Sequence, residues 1–418
     1  MIKPKILFAT PILHHPPIGG PTLRIENSIK ALSQISDLYI YSRARPSEIG
    51  GVDAVTFYKK YSKEFYFSPF VSPQSSLLSR ITFLASRVIN KISRKTIGKN
   101  ILNRHVESKR DYKNLLDIAS KVQADIIWLG FGNISYPLLK YIKENSNSKV
   151  VLDTDSVWSR FILRGLPYAK TDKQCQHIDR LGQEKIKEEK WGTKLADVTT
   201  AVSEIDAEYY RDLAKDPRQV HLFSNVIDLD SYQVIPQKPP DFHQPAIYLA
   251  GTFGPDSPMD DAARWVINQV LPLVRNQIPN IHFYIIGNGS DKTLLDIHDP
   301  QITITGKLNS VLPYLCHVNL ALVPLRFESG TRFKILEAGA CKIPVVSTTL
   351  GAEGIPITDE HDILIADQPE DFARAIIRLI ENPSLSEDIA NNLYALIQKN
   401  YSISTLIDQG IKIIDYLA

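Results

Sequence analysis

The sequence predicts an α/β protein with parallel sheets in two successive units. Three observations carry this. Short apolar runs of strand type alternate with longer helical stretches along the chain, the pattern of repeated βαβ units. Residues 229–245 hold Pro236, Pro239 and Pro240 without periodicity, and the alternation restarts at Ala246, so this stretch is a linker. Within residues 319–354 an apolar run, a helix and a second apolar run follow one another closely enough to form one βαβ unit.

Composition narrows the function classes. At 418 residues the chain has room for two or three domains. Hydrophobic residues make up 44% and charged residues 22%, a globular balance that excludes a disordered chain. Lys and Arg number 48 against 46 Asp and Glu, a net charge of +2 that gives no global signal for nucleic acid. Cys175, Cys316 and Cys341 have no Cys-x-x-Cys spacing, so a reduced compartment is expected, without a structural metal or a disulfide framework. Prolines break the start MIKPKILFATPIL too early for a signal peptide. No run reaches about 18 apolar residues, the length that spans a membrane. A cytoplasmic protein is expected.

The first unit opens with a strand at 5–10 and a loop holding His14, His15 and the pair Gly19-Gly20, then a helix from Thr22 to Leu32 with apolar residues at 25, 29 and 32. Gly19 and Gly20 let backbone N–H groups approach a phosphate or sugar, or form a plain connector. Strands are expected at 38–42 and 54–58. From Lys59 to Lys113 the composition shifts to thirteen Lys/Arg against three acids. There Leu77, Ile81, Leu84, Val88 and Ile92 make one apolar stripe, with Arg80, Arg87, Lys91 and Arg94 beside it. Region 77–95 is thus either a domain helix packing its stripe inward or a basic amphipathic helix in peripheral contact with an anionic membrane, on its inner face.

Buried-type strands follow at 125–129 and 149–153. Asp155 lies just past the second, where it can position or deprotonate an acceptor hydroxyl, or where Asp153 or Asp155 can cap the next helix. A charged helix over 172–195 with Lys and Glu at i,i+4 is expected to be mostly exposed, and a strand at 197–203 and the segment 220–228 close the unit. The second unit has strands at 246–250, 281–287, 302–306, 320–324, 344–347 and 362–366, and helices at 260–275, 331–341, 369–382, 384–398 and 402–417.

The helix at 331–341 organises the chain. It starts beyond the carboxyl end of a strand, where open α/β sheets bind ligands. Phe333, Leu336 and Ala340 share a face that can pack on the sheet, and Ser329 is the expected N-cap. The N–H groups of the first turn, with Arg332 and Lys334, suit a diphosphate, and Glu337 one turn further can accept hydrogen bonds from a ribose diol.

The wording GTRFKILEAGA…PVVSTTLGAEG resembles the donor-sugar signature of the retaining GT-B glycosyltransferases, the group called glycosyl transferases group 1 or family 4-like. The resemblance is strong over 246–360 and weak before 230. It implies a GT-B fold, two Rossmann-like domains with parallel sheets facing across a cleft: an acceptor-side domain over 1–228, the linker, and a donor domain over 246–399, with a helix at 400–418 packing back on the first. It implies that Lys334 contacts the diphosphate and Glu337 holds the ribose. Donor-binding positions are expected at Gly19, Gly20, Gly251, Thr252, Gly287, Asn288, Ser329, Gly330, Thr331, Arg332, Lys334, Glu337 and Glu353, and catalytic ones at Lys334, Arg332 and Asp155. Transfer of a sugar from a nucleoside-diphosphate sugar to a hydroxyl of a glycan or lipid-linked acceptor follows, with retention and without a metal or other cofactor. The sequence departs from the family where Ser329 stands for a glutamate and Thr154 for a histidine, which keeps open a catalytically silent member that binds a nucleotide-sugar or glycan as a partner subunit.

Overall fold

The computed structural model describes residues 3–68, 109–328 and 332–418. The amphipathic region 77–95 and the loop residues Ser329, Gly330 and Thr331 lie outside the described residues.

The N-terminal unit runs β1 (Lys5–Thr10), α1 (Gly20–Ile35), β2 (Asp37–Ser42), α2 (Gly51–Lys59), β3 (Glu64–Phe67), α3 (Lys109–Val122), β4 (Ile126–Gly130), α4 (Tyr136–Asn145), β5 (Lys149–Asp153), α5 (Trp158–Leu163), α6 (Asp172–Leu195), β6 (Val198–Ala201), α7 (Glu204–Leu213) and β7 (Val220–Leu222). Its strands pair in parallel in the order β3-β2-β1-β4-β5-β6-β7. Both faces are covered. Along β1, Ile6 and Phe8 enter one core cluster and Leu7 and Ala9 the other, so the strand reads as an unbroken apolar run.

The C-terminal unit runs β8 (Ala246–Ala250), α8 (Pro258–Trp265), α9 (Leu271–Arg275), β9 (His282–Ile286), α10 (Ser290–Thr293), β10 (Ile302–Ile304), α11 (Leu312–Leu315), β11 (Leu320–Val323), α12 (Phe333–Ala340), β12 (Val345–Ser347), α13 (Thr349–Ala352), β13 (Leu364–Ile365), α14 (Pro369–Glu381), α15 (Pro383–Asn400) and α16 (Ile403–Leu417). Its strands are also parallel, in the order β10-β9-β8-β11-β12-β13. In both sheets the order reverses beside the first strand, between β1 and β4 and between β8 and β11, which opens a crevice at the carboxyl ends. A π turn, Val266–Val270, joins α8 to α9 just before Pro272, which has no N–H to donate to the preceding turn.

The last helix crosses back. Leu406 and Ile413 of α16 share a core cluster with Ile25, Ile29 and Leu32 of α1. A Cβ at Gly410 would come within 2.7 Å of Ile35, so glycine sets the close approach of the two helices. The Gln409 side chain accepts from the Ser224 N–H at 2.8 Å and donates to the Ser224 hydroxyl at 3.0 Å.

Two elements differ from the sequence reading. Residues 54–58 form the middle of α2 and not a strand; their buried residues Ala54 and Tyr58 are four apart, a helical spacing that the β-branched and aromatic composition masked. The neighbouring strand is 64–67. The 172–195 helix is exposed on one side only. A Cβ at Gly182 would sit 2.3 Å from Leu163 and one at Gly192 2.3 Å from Tyr136, so two glycines seat α6 on the unit. Glu189 is fully buried there, accepting from the Ser159 N–H at 3.0 Å and the Tyr209 hydroxyl at 2.7 Å.

Candidate active site

Helix α12 is fixed by its packing. Ile335, Leu336, Ala338, Gly339 and Ala340 are buried, and a Cβ at Gly339 would lie 2.2 Å from Ile397 of α15. The N-cap position is taken by Arg332, and not by Ser329 as the sequence implied. Phe333 is half-buried, packed against the core of the C-terminal unit as expected, and a Cβ at Gly20 of the facing unit would come within 2.9 Å of its ring. The first turns of α1 and α12 therefore meet, and Gly20 is small because Phe333 is there. Gly19, at the α1 N-cap, is exposed. Two helix N-termini with their partial positive charge face one crevice.

Lys334 is half-buried and has no hydrogen-bond or ion-pair partner among the described residues. Glu337, one turn on, accepts a hydrogen bond at 3.1 Å from the Tyr232 hydroxyl of the linker. Burial pushes the Glu337 carboxyl up, against the Tyr232 hydrogen bond and the Lys334 charge. Burial and the same carboxylate push the Tyr232 hydroxyl far above its ordinary value, so it stays a neutral donor. One carboxylate offers about four acceptor positions, so Tyr232 leaves room for a diol. The sequence pointed to no role for Tyr232, whose partner is 105 residues away.

Arg332 is 3% exposed and held inside the C-terminal unit. Its Nε lies 3.8 Å from Glu328 Oε2 and its Nη2 donates to the Leu350 carbonyl at 3.5 Å. Burial lowers its pKa, against the charges of Glu328 and Glu353. Gly251, Gly287 and Asn288 lie together. The Gly251 N–H donates to the Ile286 carbonyl at 3.0 Å and the Phe253 N–H to the Asn288 carbonyl at 2.8 Å. Gly287 has a φ of +137°, and a Cβ there would overlap the Gly251 carbonyl at 1.8 Å, so the loops after β8 and β9 require this glycine. Thr252 and Asn288 are exposed at this edge. Glu353 is bound to the other unit, by Arg164, at 2.9 and 2.7 Å.

Across the cleft, Asp153 and Asp155 divide the work. Asp153 is fully buried and accepts from Arg24, from the Thr200 hydroxyl at 2.7 Å and from the Trp128 indole at 3.1 Å. Arg24 also donates to the carbonyls of Phe223 and Thr154 at 3.0 and 3.1 Å and to Asn225 at 2.9 Å. This knot ties α1 to the ends of β5 and β7. Asp155 accepts from the Trp158 indole at 2.9 Å, and its N–H donates to Asn133 at 3.0 Å. Burial pushes its carboxyl up to about 6, with Trp158 and Arg24 opposing and Asp153 adding. Neither carboxylate caps α5, whose N-cap is Val157.

Between the units lies a cavity of about 660 Å³, walled by Leu163, Pro167, Ile186, Leu213 and Leu350, with Arg160 at its side. Arg160 pairs with Asp206 at 3.1 Å, and burial pushes the Asp206 carboxyl up to about 6 against that charge. Arg326 is engaged by Asp261 at 2.9 and 2.5 Å. Cys316 and Cys341, far apart in sequence, bring their sulfurs to 3.7 Å, with Cys341 four residues beyond Glu337. Among the described residues, no helix is long and apolar enough to cross a membrane.

These sheets and their order are those of the GT-B fold, and the chain is a two-unit α/β protein of that architecture. Residues 244–382, the unit that carries α12, match the model of the family "Glycosyl transferases group 1". A curated relative from Klebsiella pneumoniae, an uncharacterised 44.6 kDa protein in the cps region, is 30% identical over 146 residues. That match covers 33% of this chain and spans 38% of the relative's length. Among solved structures, sucrose-phosphate synthase from Thermosynechococcus elongatus superimposes with a TM-score of 0.69 at 14% identity, covering 99% of both chains. HepE from Anabaena, in complex with UDP-glucose, gives 0.61 at 11% identity over 98% of this chain and 99% of that one. TarM from S. aureus, a mutant in complex with fondaparinux, alpha-GlcNAc-glycerol and UDP, gives 0.65 at 14% identity over 99% and 100%.

Proposed function

We propose that the protein is a glycosyltransferase that binds a nucleoside-diphosphate sugar in the crevice and transfers the sugar to a hydroxyl of a glycan or lipid-linked acceptor, with retention of configuration. The observation that carries this reading is α12: a fixed helix N-terminus bearing Lys334 without a hydrogen-bond or ion-pair partner among the described residues, with Glu337 one turn on and backed by Tyr232. The Lys334 ammonium and the first-turn N–H groups stabilise the negative charge that develops on the leaving diphosphate, most strongly in the transition state. Glu337 holds the ribose diol, and Tyr232 keeps its carboxylate oriented. Arg332, packed beneath the turn, adds positive potential from inside the unit. Asp155, just past the carboxyl end of β5, orients the acceptor hydroxyl from the N-terminal unit. No step in this scheme calls for a metal. Uridine is the first base to test, since HepE and TarM are seen with UDP or UDP-glucose.

Thermal shift with UDP, GDP, ADP and CMP tests the donor site. A ligand at a hundred times its dissociation constant adds about 2.7 kcal/mol, which is a shift of a few degrees for a domain of this size. One diphosphate is expected to raise the Tm, and Lys334→Ala and Glu337→Ala to abolish the rise. No shift with any of the four would overturn the reading. A shift without hydrolysis of the matching sugar nucleotide would favour the silent binding protein instead.

A further inference from the structure

Arg164 belongs to the N-terminal unit, one residue past α5, yet its guanidinium is bonded to the C-terminal unit. Nη1 donates to the Glu328 carbonyl at 2.6 Å and to Glu353 Oε1 at 2.9 Å, and Nη2 donates to Glu353 Oε2 at 2.7 Å. A two-pronged arginine–carboxylate pair is strong and geometrically specific. Burial pushes the Glu353 carboxyl up, but the hydrogen bonds and charge of Arg164 outweigh it and hold the carboxyl below its ordinary value. Glu328 lies after β11 and Glu353 just after α13, so one side chain joins two loops of the C-terminal unit to each other and to the facing unit.

Its neighbours extend the contact. The Tyr168 hydroxyl donates to the Arg326 carbonyl at 3.2 Å, and its ring lies 4.4 Å from that of Phe327. Residues 164–168 thus grip 326–328. Directly inside, Arg332 bridges the same two loops, with Glu328 on one side and the Leu350 carbonyl on the other. The grip is half-open to water, with Arg164 and Glu353 side chains 26% and 20% exposed. A contact of that kind holds geometry when made, and opens without the penalty of stranding a fully buried charge. Lys170 and Asp256 also pair across the units, but at 69% and 52% exposure that pair contributes little.

We propose that Arg164 is a positioning residue: as the units close on the donor, its fork holds the Glu328 carbonyl and the Glu353 carboxylate in place beside α12, and so couples closure to an ordered donor site. This rests on the glycosyltransferase reading, and Arg164 touches no reacting atom.

The test compares the wild type with Arg164→Ala, Arg164→Lys, Glu353→Gln and the swap Arg164→Glu/Glu353→Arg, with Lys170→Ala as the control. UDP affinity is read by calorimetry, turnover of the sugar nucleotide by kcat and KM, and closure by the UDP-induced fall in radius of gyration. A misplaced site costs on the order of tenfold to a hundredfold, so Arg164→Ala is expected to lose that much kcat, keep its UDP affinity to within about threefold, and lose the UDP-induced compaction. Arg164→Lys, with the charge but not the fork, is expected in between, the swap to recover part of the kcat, and Lys170→Ala to behave as wild type. Wild-type turnover and compaction in Arg164→Ala, with UDP still bound, would overturn the positioning role alone. A lowered Tm with unchanged kcat per folded molecule would overturn it too, by reducing Arg164 to a stability contact. A wild type that binds no nucleoside diphosphate would overturn the functional reading and this proposal together.

Discussion

The two units finish their sheets alike and use the ends differently. At the carboxyl ends of the N-terminal sheet, Asp153 has Arg24, Thr200 and Trp128 as partners and no access to water. In the C-terminal unit, inside the helix that follows β11, Glu337 has Tyr232, and Lys334 stands near it without a hydrogen bond to any described residue. A carboxylate whose acceptor positions are filled from within holds the fold. One with positions to spare can hold a ligand. The same contrast separates Asp153 from Asp155, two residues further on, whose side chain has the Trp158 indole for its partner.

The largest effect is expected where that contrast is sharpest. Breaking the Arg24–Asp153 pair from one side, with Asp153→Ala, leaves a buried guanidinium unmatched and is expected to cost about 3–5 kcal/mol, read as a collapse of the urea midpoint. Lys334→Ala is expected to leave the urea midpoint in place and to cut turnover of the sugar nucleotide by about 10²–10³. If the two variants exchanged phenotypes, the division between structural and functional groups would be wrong.

Asp155 gives a pH-dependent version of the contrast. Its folded carboxyl titrates near 6, above the ordinary value of 3.8. The folded state therefore binds the proton more tightly, and the associated stability is present below about pH 4 and lost as pH rises to 6. Asp155→Asn, which still accepts from Trp158, is expected to be more stable than wild type by about 1–2 kcal/mol at pH 7, and no more stable at pH 3.5. Thermal melts at the two pH values check the sign. The smallest effect is expected for Tyr232→Phe. One hydrogen bond to a half-buried carboxylate is worth about 0.5–1.5 kcal/mol, so UDP affinity should weaken about threefold to tenfold, with the Tm little changed.

Much of the fold was legible because its cause is local. Strands buried on both faces read as unbroken apolar runs, as at Leu320–Val323 and Val345–Ser347, and the proline-rich linker marked where the alternation restarts. The α2 segment misled because Val55, Thr56 and Phe57 have strand-type side chains, while the spacing of Ala54 and Tyr58 and the following turn decide for helix. Within the candidate site, the helix that carries Lys334 and Glu337 after a strand was legible from the local pattern, and the roles proposed for the two side chains rest on the resemblance to the glycosyltransferase signature. Tyr232, Arg164 and the Cys316–Cys341 contact were not legible. Their partners are 105, 189 and 25 residues away, and nothing in the neighbouring sequence announces a pairing that only the packed units create. Arg24 was hidden for a similar reason: it sits on a helix that reads as ordinary, and its partner is 129 residues on.

Helix α12 is proposed as a nucleoside-diphosphate site. Isothermal titration of UDP into the wild type, Lys334→Ala and Glu337→Ala tests it most directly. One site per chain is expected in the wild type, with binding weakened at least about tenfold, or roughly 1.4 kcal/mol, in each variant. Wild-type binding that persists unchanged in both variants would place the nucleotide elsewhere than on α12.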